Sequence, residues 1–138
     1  MSEAIGQNYV LGFLFRGSQG QVALIEKQRP SWQKGFLNGI GGKIEYNEQP
    51  HEAIIREFFE ETSACVQSWR QFAVLHWRDG CVFCYVSHGE FNLISITDER
   101  VNWFDVSSIT MLPIIPKLRW LIPLALDESV ISTITDYS

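Results

Sequence analysis

The chain has 138 residues, 46% of them hydrophobic and 20% charged, which is the composition of a folded domain and excludes a disordered segment. Sixteen acidic and eleven basic side chains give a net charge of −5, which excludes a general cationic surface for duplex nucleic acid or for a membrane. We therefore expect a single domain over residues 1–138, with its folded unit at about 8–128 and the tails outside that unit.

The uncharged stretches of the chain are too short to cross a membrane. The longest, 4–15 and 106–116, fall well below the roughly 20 residues of a transmembrane helix. The N-terminal residues lack the basic start and apolar run of a secretory signal, which indicates a cytoplasmic protein with reduced thiols.

Strands are predicted where apolar or alternating runs are bounded by turn residues. The predicted strands, in chain order, are 9–15, 21–26, 72–77, 81–87 and 102–106. The first two form a hairpin around the turn at 16–20, and the next two form a hairpin around Asp79-Gly80, which is a strong signal for a short turn.

Two helices are predicted between and after these hairpins. The first begins at Pro50 and is amphipathic, with Ala53, Ile54 and Phe58 at helical spacing toward the sheet. The second runs from about 116 to 126, and Pro123 is expected to kink it or end it early. Strands alternating with helices predict an α/β domain, a mixed sheet with helices packed on both sides.

Acidic side chains concentrate in residues 45–61, where six of the sixteen acids accompany one basic residue, Arg56. At about 100° per residue, Glu57, Glu60 and Glu61 fall within an arc of about 100° on one helix face. Two interpretations remain open: a solvated face, or carboxylates neutralised by a divalent cation. Carboxylates are hard ligands that suit Mg²⁺ or Mn²⁺, and Mg²⁺ commonly binds through them together with substrate phosphates. The second interpretation predicts a phosphate-bearing substrate.

A glycine-rich segment precedes these acids and reads Asn-Gly-Ile-Gly-Gly-Lys over 38–43. Glycines let the backbone come close to a ligand and expose its own polar groups. The spacing matches neither the dinucleotide-binding GxGxxG nor the P-loop pattern.

Seven residues carry a resemblance to a known family: Gly42, Glu48, Arg56, Glu57, Phe58, Glu60 and Glu61. Their spacing resembles the Nudix box, G-x5-E-x7-R-E-U-x-E-E-x-G-U, in which U is a bulky apolar residue. Two positions differ, because Ser63 stands at the box glycine and Ala64 at the final apolar position. A glycine just past a helix end serves a left-handed turn, so Ser63 is expected to cost on the order of 1 kcal/mol of local stability.

The resemblance implies the Nudix fold, an α/β (α+β) arrangement with a mixed sheet between helices and the box forming loop, helix and loop. It also implies a hydrolase that cleaves a pyrophosphate bond in a nucleotide. The metal-binding residues would be Glu57, Glu60 and Glu61, with the Gly41 carbonyl as a further ligand and Mg²⁺ or Mn²⁺ as the cofactor.

The resemblance also implies roles for the neighbouring charged residues. Arg56 would pair with Glu48 and hold the glutamates in place. Glu57 is expected to be the general base, and Asp98 or Glu99 is the alternative base on a later loop.

Substrate contacts follow from the same resemblance. Asn38, Gly42 and Lys43 are similar to positions of Nudix enzymes that clean up nucleoside triphosphates, and Trp103 is placed like an aromatic that stacks on the base. The paired acids with which one subgroup reads an oxidised purine have no counterpart in 112–117.

The expected reaction is hydrolysis of a nucleoside triphosphate to a monophosphate and pyrophosphate. The alternative substrate is ADP-ribose or another nucleoside-diphosphate sugar, and a third hypothesis is a regulatory module that binds a nucleotide without cutting it. The partner is then a small nucleotide, with no duplex nucleic acid and no membrane, and a homodimer is expected by analogy with the family.

Overall fold

The computed structural model describes residues 6–18 and 20–130, and the backbone of 133–136. The strands are β1 Tyr9–Arg16, β2 Gln21–Glu26, β3 Leu37–Asn38, β4 Ile40–Lys43, β5 Arg70–Trp77, β6 Gly80–His88, β7 Val101–Asp105 and β8 Thr133–Asp136. The helices are α1 Pro50–Thr62 and α2 Leu118–Leu126, with short 3-10 helices at Ser31–Gln33 and Val106–Met111.

The strands form one mixed sheet in the order β3-β2-β1-β6-β5-β8, with β4 paired to β1 and β7 paired to β2. β1 is parallel to β6 along most of its length, whereas it pairs with β2 only next to their turn. The start of β1 pairs instead with β4, from Tyr9 opposite Lys43 to Gly12 opposite Ile40. Both predicted hairpins and the predicted strand at 102–106 are confirmed to within a few residues.

Three strands were not predicted. β3 and β4 lie in the glycine-rich segment, where two of the four β4 residues have no side chain to show alternation. β8 corrects the expectation that the folded unit stops near 128, because it runs parallel to β5 at the edge of the sheet. Residues 1–5 of the expected N-terminal tail lie outside the described residues.

Each face of the sheet carries a buried core and a helix, which confirms the predicted layering. Alternation along β1 sends Leu11, Phe13 and Phe15 to the α2 side. Val10 and Leu14 point to the α1 side. The two sides of β1 therefore hold the two layers of the domain together.

Helix α1 begins and ends as its sequence predicts. Pro50 is its first residue, and the N–H of the preceding Gln49 donates to the Glu52 carboxylate at 2.9 Å. The face with Ala53, Ile54 and Phe58 is buried, as expected. Ser63 adopts the left-handed conformation, with φ 66°, at the position where the Nudix pattern has glycine.

Helix α2 does not end early at Pro123, which was one of the two outcomes expected there. The helix neither stops there nor shortens but continues to Leu126, because Pro123 is exposed and the carbonyl that its missing N–H leaves unbonded belongs to the exposed Arg119. Within the described residues, no helix is long and apolar enough to cross a bilayer.

Candidate active site

Three carboxylates lie on one side of α1, those of Glu57, Glu60 and Glu61. The side chains of Glu57 and Glu60 are 14% and 53% exposed. Burial raises the pKa of the Glu57 carboxyl above its usual range, although the charge of Arg56 opposes this. Burial also raises the pKa of Glu61, against a hydrogen bond from the Thr97 hydroxyl. Carboxylates that are partly desolvated beside like charges would be stabilised by a cation.

Arg56 organises the acids around it. Its Nε and Nη2 donate to the two oxygens of Glu48, at 2.7 and 3.0 Å, in a bidentate pair. Its Nη1 donates to Glu57 at 3.0 Å and to Glu60 at 3.2 Å, and Nη2 also reaches the Lys43 carbonyl at 3.0 Å. The hydrogen bond from Arg56 holds the pKa of Glu48 below its usual range. The guanidinium thus ties the loop before α1 to the helix face that carries the carboxylates.

Carboxylate oxygens suit a hard divalent cation, but in this structure they accept hydrogen bonds from Arg56 and Thr97. Among the described residues, no three Asp, Glu, His or Cys side chains meet closely enough to hold a metal ion. Instead, Nη1 of Arg56 donates to both Glu57 and Glu60, and the Thr97 hydroxyl donates to Glu61 at 3.1 Å. Carboxylate and carbonyl oxygens are nevertheless the ligands that Mg²⁺ prefers. These side chains would have to leave Arg56 and Thr97 to bind it.

The two glycines of β4 are closely packed, and Gly42 lies directly against the Glu57 carboxylate. A Cβ at Gly42 would collide with the carboxylate of Glu57, and a Cβ at Gly41 would collide with the carbonyl of Val10 on the paired strand. Only glycine leaves room for Glu57 beside this strand.

A cavity of about 670 Å³ opens on the other side of the same strand. Gly41 and Gly42 line it, together with Tyr9, Leu11 and Trp77, which pack on the α2-side core. The size is typical of a site for a small organic ligand. Strand β4 therefore touches both the cavity, through Gly41 and Gly42, and the Glu57 carboxylate, through Gly42.

The amide of Asn38 stands in the cavity wall in a fixed orientation. Its Oδ1 accepts from the Gly39 N–H at 2.8 Å, and its Nδ2 donates to Gln33 at 3.4 Å. Two of the four residues expected to contact substrate, Asn38 and Gly42, thus line the cavity.

The other two, Lys43 and Trp103, do not line it. Lys43 is exposed, and its carbonyl accepts from Arg56. Trp103 lies in β7, where the guanidinium of Arg16 sits over its ring at 4.1 Å from the centroid. Trp32 and Trp77 are the tryptophans that line the cavity.

Asp98 and Glu99 serve a loop contact. The buried Glu99 carboxylate accepts from Lys27 Nζ at 3.1 Å and from the N–H groups of Gln28 and Arg29 at 2.8 and 3.2 Å. Burial alone would raise the pKa of Glu99, but these hydrogen bonds hold it below its usual value. Asp98 is exposed and forms an ion pair with Arg29. Both carboxylates therefore have partners on the loop after β2.

Sequence reasoning did not single out Trp32 or Lys117 as site residues. Trp32 is 66% exposed in the 3-10 helix Ser31–Gln33, and the Pro-Ser pair before it is a sequence signal of a break in regular structure. Lys117 follows Pro116 before α2, and only the fold brings it to the cavity.

Comparison with known families identifies the family of this chain. A family model described as NUDIX domain matches residues 7–120, which is most of the chain. The chain belongs to the NUDIX family. The family assignment predicted from the box is confirmed, and the departures at Ser63 and Ala64 do not remove the chain from it.

Solved Nudix structures share the fold. A MutT protein studied in Aliivibrio salmonicida and Vibrio cholerae superposes with a TM-score of 0.76 at 17% identity, covering 87% of this chain and 96% of that chain. MutT from Bacillus halodurans gives 0.77 at 19%, covering 96% and 90%. The NUDIX domain of Shewanella oneidensis NrtR, complexed with ADP ribose, gives 0.73 at 20%, covering 90% and 88%. At these identities the likeness shows the fold.

No curated protein matches the chain closely enough to narrow the activity further. Membership makes it a Nudix pyrophosphohydrolase, of a family that acts on nucleoside diphosphate derivatives and generally uses a divalent metal.

Proposed function

We propose that this Nudix hydrolase cleaves a nucleoside triphosphate to a monophosphate and pyrophosphate with Mg²⁺ or Mn²⁺. One observation supports the proposal. Gly41 and Gly42 of β4 line a cavity of about 670 Å³, and Gly42 also lies against the Glu57 carboxylate. A base held in the cavity would place its phosphates along Gly41 and Gly42, which carry no side chains of their own, and Gly42 lies against the Glu57 carboxylate. The diphosphate then reaches the face of α1.

The carboxylates of Glu57, Glu60 and Glu61, with the carbonyl of Gly41, are the groups that would hold the cation. A cation bound there would neutralise the diphosphate and lower the pKa of a water molecule. Arg56 supports this arrangement, because its bidentate pair with Glu48 ties the loop before α1 to the helix that carries the carboxylates.

We assign the general base to Glu57. Its carboxylate lies partly buried against Gly42, at the strand that the phosphates would pass. Burial raises its pKa, which makes the carboxylate a stronger base. The alternative bases are less suitable, because Glu99 already accepts three hydrogen bonds and Asp98 is paired with Arg29.

A nucleoside-diphosphate sugar is the second candidate substrate. The NUDIX domain of NrtR was solved with ADP ribose, and its fold matches this chain over 90% of the length. The cavity of about 670 Å³ is wide enough for either class, so the products must decide between them.

The test is a product analysis. The protein is incubated with Mg²⁺ and a panel of nucleoside triphosphates, ADP-ribose and related diphosphates, and the products are separated by chromatography. We expect pyrophosphate and a monophosphate from at least one triphosphate. A monophosphate and a phosphorylated sugar, formed only from ADP-ribose, would establish the second candidate. Tight nucleotide binding with no turnover under any metal would contradict both.

Two substitutions on the same helix make the assay specific. Glu61→Gln removes a proposed ligand and is expected to lower kcat/KM by about 100-fold or more. Glu52→Gln is the matched control, because Glu52 is exposed in the first turn and a glutamine keeps its contact with the Gln49 N–H. Equal loss in both variants would show a general effect of charge.

A further inference from the structure

A second cleft lies at the open end of the β5–β6 hairpin, away from the proposed active site. Its volume is about 230 Å³, and it is lined by residues 68–70 and 86–88. The turn end of the same two strands faces the large cavity, which Trp77 and Val82 line. The cleft is therefore a separate feature, and the proposed function does not use it.

The cleft forms because β5 and β6 separate at this end. Their pairing stops at Arg70 opposite Val86, and the described residues beyond this pair lie outside the ladder. Instead, the Ser87 hydroxyl donates to the Ser68 carbonyl at 2.6 Å. This short hydrogen bond holds the two walls of the cleft at a fixed distance.

Arg70 and His88 leave the sheet on the same side. Arg70 is opposite Val86, which packs in the core on the α2 side. His88 follows Val86 by two residues, and its ring stacks on Phe15 of the same core, with the centroids 5.9 Å apart. Diagonal neighbours across an antiparallel pair are about 7–8 Å apart. The two side chains can therefore reach one small ligand between them.

The guanidinium of Arg70 is oriented but only partly used. It donates to the carbonyls of Val130 at 3.0 Å and Ala125 at 3.4 Å, beside the end of α2. An arginine has five N–H donors, so three of them remain for a ligand. Among the described residues, no carboxylate pairs with this guanidinium. Neutral acceptors thus hold its position and leave its charge uncompensated within that part of the chain.

The cleft has two further donors. The His88 imidazole and the exposed Ser68 hydroxyl have no hydrogen-bond partner within the described part of the chain. An imidazole donates an N–H in its neutral and in its charged form. No Asp or Glu is among the described residues that line the cleft. The cleft therefore offers donors from three side chains, which favours an anion with several acceptor oxygens.

We infer that this cleft is a second ligand site, which binds a small phosphate anion through Arg70, His88 and Ser68. A phosphate suits these donors because its oxygens point in four directions, whereas the two oxygens of a carboxylate lie in one plane. Its negative charge also compensates the guanidinium. The inference is independent of the proposed hydrolysis, because it involves neither the carboxylates of α1 nor the large cavity.

The test follows the three histidines of the chain by NMR while inorganic phosphate is added at constant pH and ionic strength, without metal and with a chelator. His88 lies in the cleft, whereas His51 lies in the first turn of α1 and His76 lies next to Trp77 of the large cavity. We expect a saturable shift of the His88 imidazole signals and none at His51 or His76. Acetate should bind at least about threefold more weakly.

Two variants remove donors from the cleft. Arg70→Met is expected to weaken phosphate binding by about tenfold or more, because hydrogen bonds between two charged groups are lost. Arg70 also holds the end of α2, so Ser68→Ala gives a second measurement that does not depend on that contact. We expect Ser68→Ala to weaken binding by about threefold.

A third variant controls for charge. Arg119→Met removes a positive charge from an exposed position near the start of α2, outside the cleft, and should bind phosphate as the wild type does. Melting curves confirm that each variant is folded.

Four results would overturn the inference. The first is the absence of a saturable shift at His88, and the second is an equal shift at all three histidines, which would show a general effect of the salt. The third is unchanged phosphate affinity in Ser68→Ala or in folded Arg70→Met. The fourth is equal affinity for acetate, which would contradict the assignment to phosphate.

Discussion

Gly42 and Arg56 contact the same carboxylate from two sides. The backbone of Gly42 lies where any Cβ would collide with Glu57, and Nη1 of Arg56 donates to Glu57 at 3.0 Å. Because Arg56 is itself held by the bidentate pair with Glu48, the position of Glu57 is set by a chain of direct contacts. A single added methyl group should disturb it.

Gly42→Ala tests this contact. The alanine Cβ forces the Glu57 carboxylate away from β4, and displacement of a catalytic group by about 1 Å can cost about 100-fold in rate. We expect kcat/KM to fall by about that factor in steady-state assays. Gly20→Ala in the β1–β2 turn is the control, since its Cβ would come no closer than 3.2 Å to the Gly17 carbonyl. Unchanged activity in Gly42→Ala would contradict the contact.

Helix α1 carries the carboxylates, and its N-terminal end is better stabilised than its C-terminal end. The N-terminal end has proline at the first position and a carboxylate that accepts the Gln49 N–H. The C-terminal end places Ser63 at φ 66°, a conformation in which a side chain is strained. The helix is thus stable at its start and strained at its end.

Ser63→Gly is expected to stabilise the protein. Glycine relieves the left-handed strain, partly offset by the greater freedom it gives the unfolded chain, so we expect a gain of about 0.5–1 kcal/mol in the free energy of unfolding. Urea denaturation measures it. Catalytic activity should not change, because the Ser63 side chain takes part in none of the proposed contacts. A loss of stability would show that the serine hydroxyl has a role that its backbone does not reveal.

The contact between Glu99 and the loop after β2 joins two elements near the cavity. Glu99→Gln removes the charge opposite Lys27 while keeping an acceptor for the backbone N–H groups. We expect a loss of about 1–3 kcal/mol at pH 7, measured by urea denaturation.

The effect of Glu99 should depend on pH in one direction. Its folded pKa is lower than the unfolded value of about 4.3, so its contribution is complete above that pH and is lost as the pH falls through the lower folded value. The difference in stability between wild type and Glu99→Gln should therefore shrink below about pH 4. A difference that grows in acid would contradict the ion pair.

At the scale of the whole molecule, local patterns predicted the sheet hairpins, both helices and the row of carboxylates. They could not predict β4, because glycines carry no alternation of apolar and polar side chains. They also missed β8, the strand at the edge of the sheet. The cavity was also out of reach, because Tyr9, Trp77 and Lys117 come together only when β1, β5 and the segment before α2 pack on one another. Trp103, which the resemblance favoured, lies under Arg16 in β7 instead.

The cavity and the carboxylates are proposed to act on one substrate from opposite sides of β4. The most direct test is steady-state kinetics of two variants with one triphosphate and Mg²⁺. Trp32→Ala, which removes an aromatic wall of the cavity, should raise KM by about tenfold with kcat nearly unchanged. Glu61→Gln should lower kcat by about 100-fold or more with KM nearly unchanged. A fall in kcat for Trp32→Ala with unchanged KM, or normal turnover by Glu61→Gln, would contradict this division of roles between the cavity and the carboxylates.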